Sequence, residues 1–173
     1  MVHAKQILPG LAFIYLRDFM EPDMKSTLLH CQLVLNFLSL EDQILYTHLI
    51  KIPDFNTFFS IPWLLTWFSH AHLEKESLLL LFDALICNHP ALLHCIACQL
   101  LISERDKLLL CSEMSEVLMI VLKLPKKDSG IQMLINDGFA QLESHGNSKK
   151  ANQFYLQMGP NSVINTFKGM KSF

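Results

Sequence analysis

A chain of 173 residues, 51% apolar and 17% charged, carries a formal charge of −2. The length suits about one domain, able to bury a core without staples, and the charge excludes a broadly basic nucleic-acid surface. An ordinary soluble domain holds about 25% charged residues. Too little charge is present here to cover a normal surface, so the chain either sits against a partner or membrane or belongs to a larger fold that covers its apolar face.

No Asp or Glu follows Glu143, whereas Lys149, Lys150, Lys168 and Lys171 all lie beyond it, so a basic tail follows an acidic body. The apolar runs Leu78 to Phe82 and Ala91 to Ile102 are interrupted by Asp83, His94 and Gln99. They fall short of the ~20 residues that span a bilayer, and no transmembrane helix is expected. His3, Lys5 and Gln6, then Pro9-Gly10, precede any long apolar run, which makes a poor signal peptide. The five cysteines therefore read as reduced thiols in a cytosolic setting.

Apolar residues at three- and four-residue spacing, divided by short polar or proline breaks, predict an all-α array of about seven to eight helices. Asp23 or Ser26 caps a helix through Leu28, Leu33, Val34, Phe37 and Leu38. Ser39, with Asp42 three residues on, starts another to about Lys51 with Ile44, Leu45, His48 and Leu49 on its inner face. Asp54 or Asn56 opens a short helix through Phe58 and Phe59. Pro62 suits the first turn of the next, Trp63 to about His70, where its missing amide costs nothing. That spacing places Trp63, Trp67 and His70 on one face. A helix from about Glu74 to Cys87, apolar nearly all round, reads as the central buried element. Helices follow over about 91–103, from a Ser112 cap to Leu122, and from Asp128 to about Ser144. From Gly146 onward no face of constant polarity can be drawn, and a loosely ordered tail over 146–173 is expected.

The cluster Cys87, His89, His94, Cys95 and Cys98 offers ligands that zinc prefers. A closed site needs four convergent ligands, however, and cysteine behaves as a small buried hydrophobe, so core packing is the favoured reading and no metal is assigned. A Cys–His nucleophile pair lacks the electropositive setting that lowers a thiol pKa. The carboxylate pairs Asp18 with Glu21 and Glu41 with Asp42 fall at helix starts, where capping explains them. No glycine-rich phosphate loop occurs, and no cofactor is expected. The tail lysines, interleaved with Phe154, Tyr155 and Phe167, allow a weak contact with anionic membrane, although a solvated tail is the plainer account.

The run Ser60-Ile61-Pro62-Trp63-Leu64-Leu65-Thr66-Trp67-Phe68-Ser69-His70, with Leu80-Leu81-Phe82-Asp83-Ala84-Leu85 and Cys87-Asn88-His89-Pro90, resembles the C-terminal half of a TBC domain. Tyr15-Leu16-Arg17-Asp18-Phe19-Met20-Glu21-Pro22-Asp23-Met24 is similar to the HLRDFM-P-M segment of an endoplasmic-reticulum and early-secretory branch of that family. The resemblance covers roughly residues 11 to 143. It implies a GTPase-activating role toward Rab-family GTPases in vesicle trafficking, on the cytosolic face of the endoplasmic reticulum or Golgi. In the family an arginine from IxxDxxR and a glutamine from YxQ enter the GTPase site, the first neutralising charge on the transferring phosphoryl group and the second positioning water. Both motifs stand upstream of the HLRDFM segment, and neither is among the fourteen residues before Tyr15. Arg17 and Gln6 stand in neither motif. The resemblance thus implies residues 1–145 as a partial domain without catalytic residues, as in a truncated isoform or incomplete gene model. What remains is a docking role, with Arg17, Asp18, Trp63, Trp67 and His70 as candidate contacts to a Rab, coat or tether protein.

Overall fold

Helix formation follows the three- and four-residue spacing of apolar side chains over most of the chain. The structure, a computed structural model, describes residues 9–10, 12–71, 73–125 and 130–167. Among the described residues there is no strand. After helical residues 9–10 and 12–15, the described chain continues through α1 (Lys25–Glu41), α2 (Gln43–Leu49), α3 (Ile61–Thr66), α4 (Lys75–Cys87), α5 (Ala91–Ser103), α6 (Arg105–Leu108), α7 (Met114–Val121), α8 (Ile131–His145), α9 (Lys149–Gln157) and α10 (Val163–Thr166). Two 3-10 turns, Arg17–Met20 and Phe58–Ser60, complete the order. The all-helical class is as expected, with α1 to α5, α7 and α8 answering to expected helices, whereas α9 and α10 lie where a loosely ordered tail is expected.

The Asp23 carboxylate accepts the Lys25 amide at 2.9 Å and so starts α1. That helix runs on through Ser39, and the break falls at Asp42, whose carboxylate accepts the Leu45 amide at 2.9 Å. Asp42 is therefore the cap of α2, and Ser39 bonds back to the Asn36 carbonyl inside α1. The shift changes which face is buried: Leu45 and Leu49 are enclosed, but Ile44 is 67% exposed. Arg105 at the start of α6 donates to Asp42 across 63 residues of sequence, which ties α2 to α6. At α7 the cap is Glu113, not Ser112, closing a capping box with Glu116. The predicted start of α8 at Asp128 lies outside the described residues.

Helix α5 is the axis of the core. Ten of its thirteen residues are buried, and it touches α1, α3, α6 and α8. Against α8 the approach is close: a Cβ on Gly138 would lie 2.8 Å from Ile96 Cγ1 and 3.3 Å from its backbone nitrogen. Helix α4 is not the central element that its apolar sequence predicts. Only Leu81 and Leu85 are buried along it, while Leu79 and Leu80 stand half exposed.

The described chain after Gly146, as far as Phe167, also departs from expectation. Ser148 caps α9 by accepting the Ala151 amide at 3.1 Å, and Ala151 and Tyr155 reach the core, the Tyr155 ring 6.4 Å from Phe37. Four residues separate Ala151 from Tyr155, enough for one turn of core contact. So short a stripe, between exposed lysines and amides, gives no sustained periodicity to read.

Candidate functional site at the Arg17–Asp18 turn

Helical residues 12–15 pass into the 3-10 turn Arg17–Met20, which brings two neighbouring charged side chains to different fates. Asp18 is 4% exposed and faces only donors. His30 Nε2 lies 2.9 Å from Asp18 Oδ2, the Ser162 hydroxyl donates to the same oxygen at 2.5 Å, and the Val163 amide reaches both oxygens at 3.0–3.1 Å. Burial alone would raise this carboxyl, but the bonds from His30 and Ser162, the His30 charge and the Val163 amide together hold it below its ordinary value. Asp18 does act as a helix cap, yet for α10, which stands 145 residues away, rather than for its own helix.

His30 extends the chain of contacts inward. Its Nδ1 lies 2.9 Å from His94 Nε2, with the two rings stacked at a centroid distance of 5.0 Å. Because Asp18 only accepts, His30 Nε2 carries the proton toward it, and His30 and His94 share one proton between their facing nitrogens. Burial first, then the neighbouring His30 charge, pushes His94 well below an ordinary histidine. His94 thus faces His30 rather than joining its neighbours in a thiol cluster. Cys95 and Cys98 lie in the core, where burial drives the Cys98 thiol up to about 12. Among the described residues no group of three His, Cys, Asp or Glu side chains is arranged to hold a metal.

Arg17 grips the other side of α10, donating to the Asn161 carbonyl at 2.8 Å and to the Thr166 hydroxyl. Beside it, the Tyr15 hydroxyl donates to the Ile86 carbonyl and its ring meets Trp67 edge-on, centroids 5.4 Å apart. Of the five candidate contacts, Arg17, Asp18 and Trp67 are therefore neighbours through Tyr15. Trp63 turns elsewhere, donating to the Leu124 carbonyl at 3.2 Å and packing on Phe59 and Phe68. Both tryptophans are core residues, 1% and 5% exposed.

The predicted common face of Trp63, Trp67 and His70 does not form, because α3 stops at Thr66 and Trp67 and Phe68 take left-handed backbone (φ 50° and 62°). Such conformations cost about 1–2 kcal/mol each. Burying a large aromatic of about 150–250 Å² at about 25 cal/mol/Å² more than offsets that. His70 is left exposed, its Nδ1 2.7 Å from the Thr66 hydroxyl. His30, His94 and Ser162 were not legible as site residues: each partner lies 12 to 144 residues distant in sequence, and no local spacing links them.

The Arg17–Asp18 turn is pinned within an all-helical array, and comparison with known proteins gives the kinship of that fold. The Rab-GTPase-TBC domain matches residues 4–109, and the chain belongs to that family. It is 34% identical over 107 residues to GTPase-activating protein gyp10 of Schizosaccharomyces pombe, covering 62% of this chain and 28% of that protein. It is 26% identical over 127 residues to mouse TBC1 domain family member 20, covering 71% of this chain and 31% of that one. The human protein of the same name matches equally, over 30% of its length. The chain thus spans less than a third of the curated relatives it matches. No solved structure matches it. The sequence holds two arginines, Arg17 and Arg105, and neither stands in an IxxDxxR motif. Tyr155-Leu156-Gln157 has the letters of a YxQ triplet, but it follows the matched region, and its tyrosine is buried.

Proposed function

We propose that this chain is a docking and scaffold part of a Rab GTPase-activating protein of vesicle trafficking, and that by itself it binds a Rab-family GTPase without accelerating hydrolysis. Family membership over residues 4–109 supports the first half. The observation that carries the second is the occupation of both arginines: Arg17 is held by Asn161, Thr166 and the neighbouring Asp18, and Arg105 by Asp42. An arginine finger must be free to enter the GTPase site, where its effect on rate is on the order of 10³–10⁵. Neither side chain is free to do that without giving up its intramolecular partners. Residues 1–145 serve in this reading as the partial TBC domain. The working location is the cytosolic face of the endoplasmic reticulum or Golgi, with exposed Lys149 and Lys150 contributing a weak attraction to anionic lipid.

Single-turnover GTP hydrolysis with a panel of Rab proteins tests the proposal. The expected result is an unchanged hydrolysis rate alongside nucleotide-dependent capture of one or a few Rabs. Marked stimulation overturns the reading of the arginines, and no capture of any Rab overturns the docking role. A second reading, a non-catalytic helical module for another trafficking protein, draws on the exposed apolar side chains Leu79 and Leu80 of α4, Met119 of α7 and Leu122 just after it. It is distinguished by capture that ignores the GTPase's nucleotide.

A further inference from the structure

The segment that fills the Arg17–Asp18 turn is built as a separate knob. After α9 the chain reverses at Gly159, in left-handed backbone at φ 82°, and passes Pro160 before the knob begins. The knob has bonds of its own and bonds to α9 and the turn that follows it. The Asn165 and Thr166 amides return to the Ser162 carbonyl at 3.0 Å, and Asn165 Nδ2 closes on the Tyr155 and Gly159 carbonyls at 2.7 and 2.6 Å. Apart from those Asn165 bonds, three side chains hydrogen-bond it to the rest of the protein. Asp18 takes the Ser162 hydroxyl and Val163 amide, Arg17 takes the Asn161 carbonyl and Thr166 hydroxyl, and His89 Nε2 lies 3.1 Å from the Ile164 carbonyl. Val163 and Ile164 supply the apolar hold, each nearly fully buried.

The receiving side is preorganised in a different way. The Asp18 carboxylate is held on one side by His30, which is itself braced by His94 on the central helix, and on the other it takes the bonds from the knob. It meets the free amide and capping hydroxyl at the start of a helical turn, and Arg17 reads the carbonyl just before that turn and a hydroxyl at its end. These groups together specify a ligand: a serine-capped turn followed by two branched aliphatic residues. The receiving residues fall inside the family match of residues 4–109, and the knob falls outside it.

We propose that the Arg17–Asp18 turn is a recognition seat for a serine-capped helical turn carrying two branched aliphatic residues. In this chain the seat is filled by residues 161–166, and it opens to a partner protein presenting the same turn. The knob is then a cis competitor that keeps the seat covered until such a partner displaces it. The inference does not rest on GTPase binding, and its test reads none.

Amide hydrogen exchange on the full unmodified chain is the first measurement. The amides of residues 163–167 should exchange at least about tenfold faster than those of α5 after correction for intrinsic rates, because the knob opens on its own. Exchange of both sets at one rate means that the knob is part of the global core, and overturns the proposal. The second measurement uses Ser162→Asp, which sets a second carboxylate against Asp18 and expels the knob. A fluorescent peptide of residues 159–167 should bind this variant saturably, should not bind the unmodified chain, and should lose its binding when Asp18→Asn is added. Peptide binding that survives Asp18→Asn, or no binding to Ser162→Asp while α5 remains protected, defeats the idea. Should Ser162→Asp unfold the chain, Ser162→Ala is read by exchange alone, with faster opening at 163–167 expected and an unchanged rate overturning the proposal.

Discussion

Helices α4 and α5 have thirteen residues each, follow one another in sequence and are both rich in leucine, yet one buries two residues and the other ten. The difference is one of neighbours. Helix α5 is enclosed by α1, α3, α6 and α8, whereas α4 rests chiefly on α8 and turns its remaining apolar residues to solvent. Apolar content sets how much a helix can gain from burial. It does not decide which helix is placed where the burial is available.

The sharpest way to break this comparison is truncation at the centre of α5. Leu92→Ala removes a fully buried side chain, and chemical denaturation should show a loss of about 2–5 kcal/mol. A loss no larger than that from Leu79→Ala would place the two helices on equal footing and contradict the core described here. Gly138→Ala probes the α5–α8 contact from the opposite side. With a methyl 2.8 Å from Ile96 Cγ1 and close to its backbone, neither helix can yield cheaply. The expected loss is about 1–3 kcal/mol, and an unchanged denaturation midpoint would show that the helices are not so close.

A pH series sharpens the contrast through His94 and its neighbour His89. Burial lowers both below the ordinary 6.5; the His30 charge adds to the shift of His94, and the bond to the Ile164 carbonyl partly offsets that of His89. As pH falls through 6.5 the unfolded chain takes up protons that the folded chain resists, so stability declines below that point and is unaffected by these groups above it. Urea midpoints at pH 7.5, 6.5 and 5.5 should fall in that order below 6.5, and a flat or rising series is the contrary result. Asp18 runs the other way. Its lowered carboxyl contributes stability that is fully present above 3.8 and lost only on further acidification, outside this window. The smallest expected effect is on α4: Leu79→Ser and Leu80→Ser should each change stability by no more than about 0.5 kcal/mol, while raising the concentration at which the chain aggregates.

Much of the array is legible in the sequence. Spacing predicts the range 91–103 to the residue, α1 and α4 to within a few residues of their ends and the end of α8 to within one, and the Ser60–His70 run and the Tyr15–Met24 segment carry the family. Errors gathered where a short-range rule competed with a distant contact. Asp42 looked like the third residue of a box opened by Ser39, but the bonds it makes to Leu45 and Arg105 place the break at Asp42 itself. Trp67 sat at helical spacing from Trp63, but the pull of two large aromatics into the core reversed the backbone. Asp18 looked like an ordinary acidic residue at a helix start, and its partner proved to be the last helix described.

Periodicity, caps and proline breaks are properties of neighbouring residues, so the sequence by itself determined the helical class, most helix boundaries and the low surface charge. Burial and buried hydrogen bonding belong to the assembled chain. Tertiary structure alone therefore decided that α5 rather than α4 is central, that both arginines are engaged, and that Asp18, His30, His94 and Ser162 form one connected set. The physical reason is range: a side chain's helical preference is settled within about one turn, whereas the partner of a buried carboxylate is whatever donor the whole fold brings within hydrogen-bonding distance.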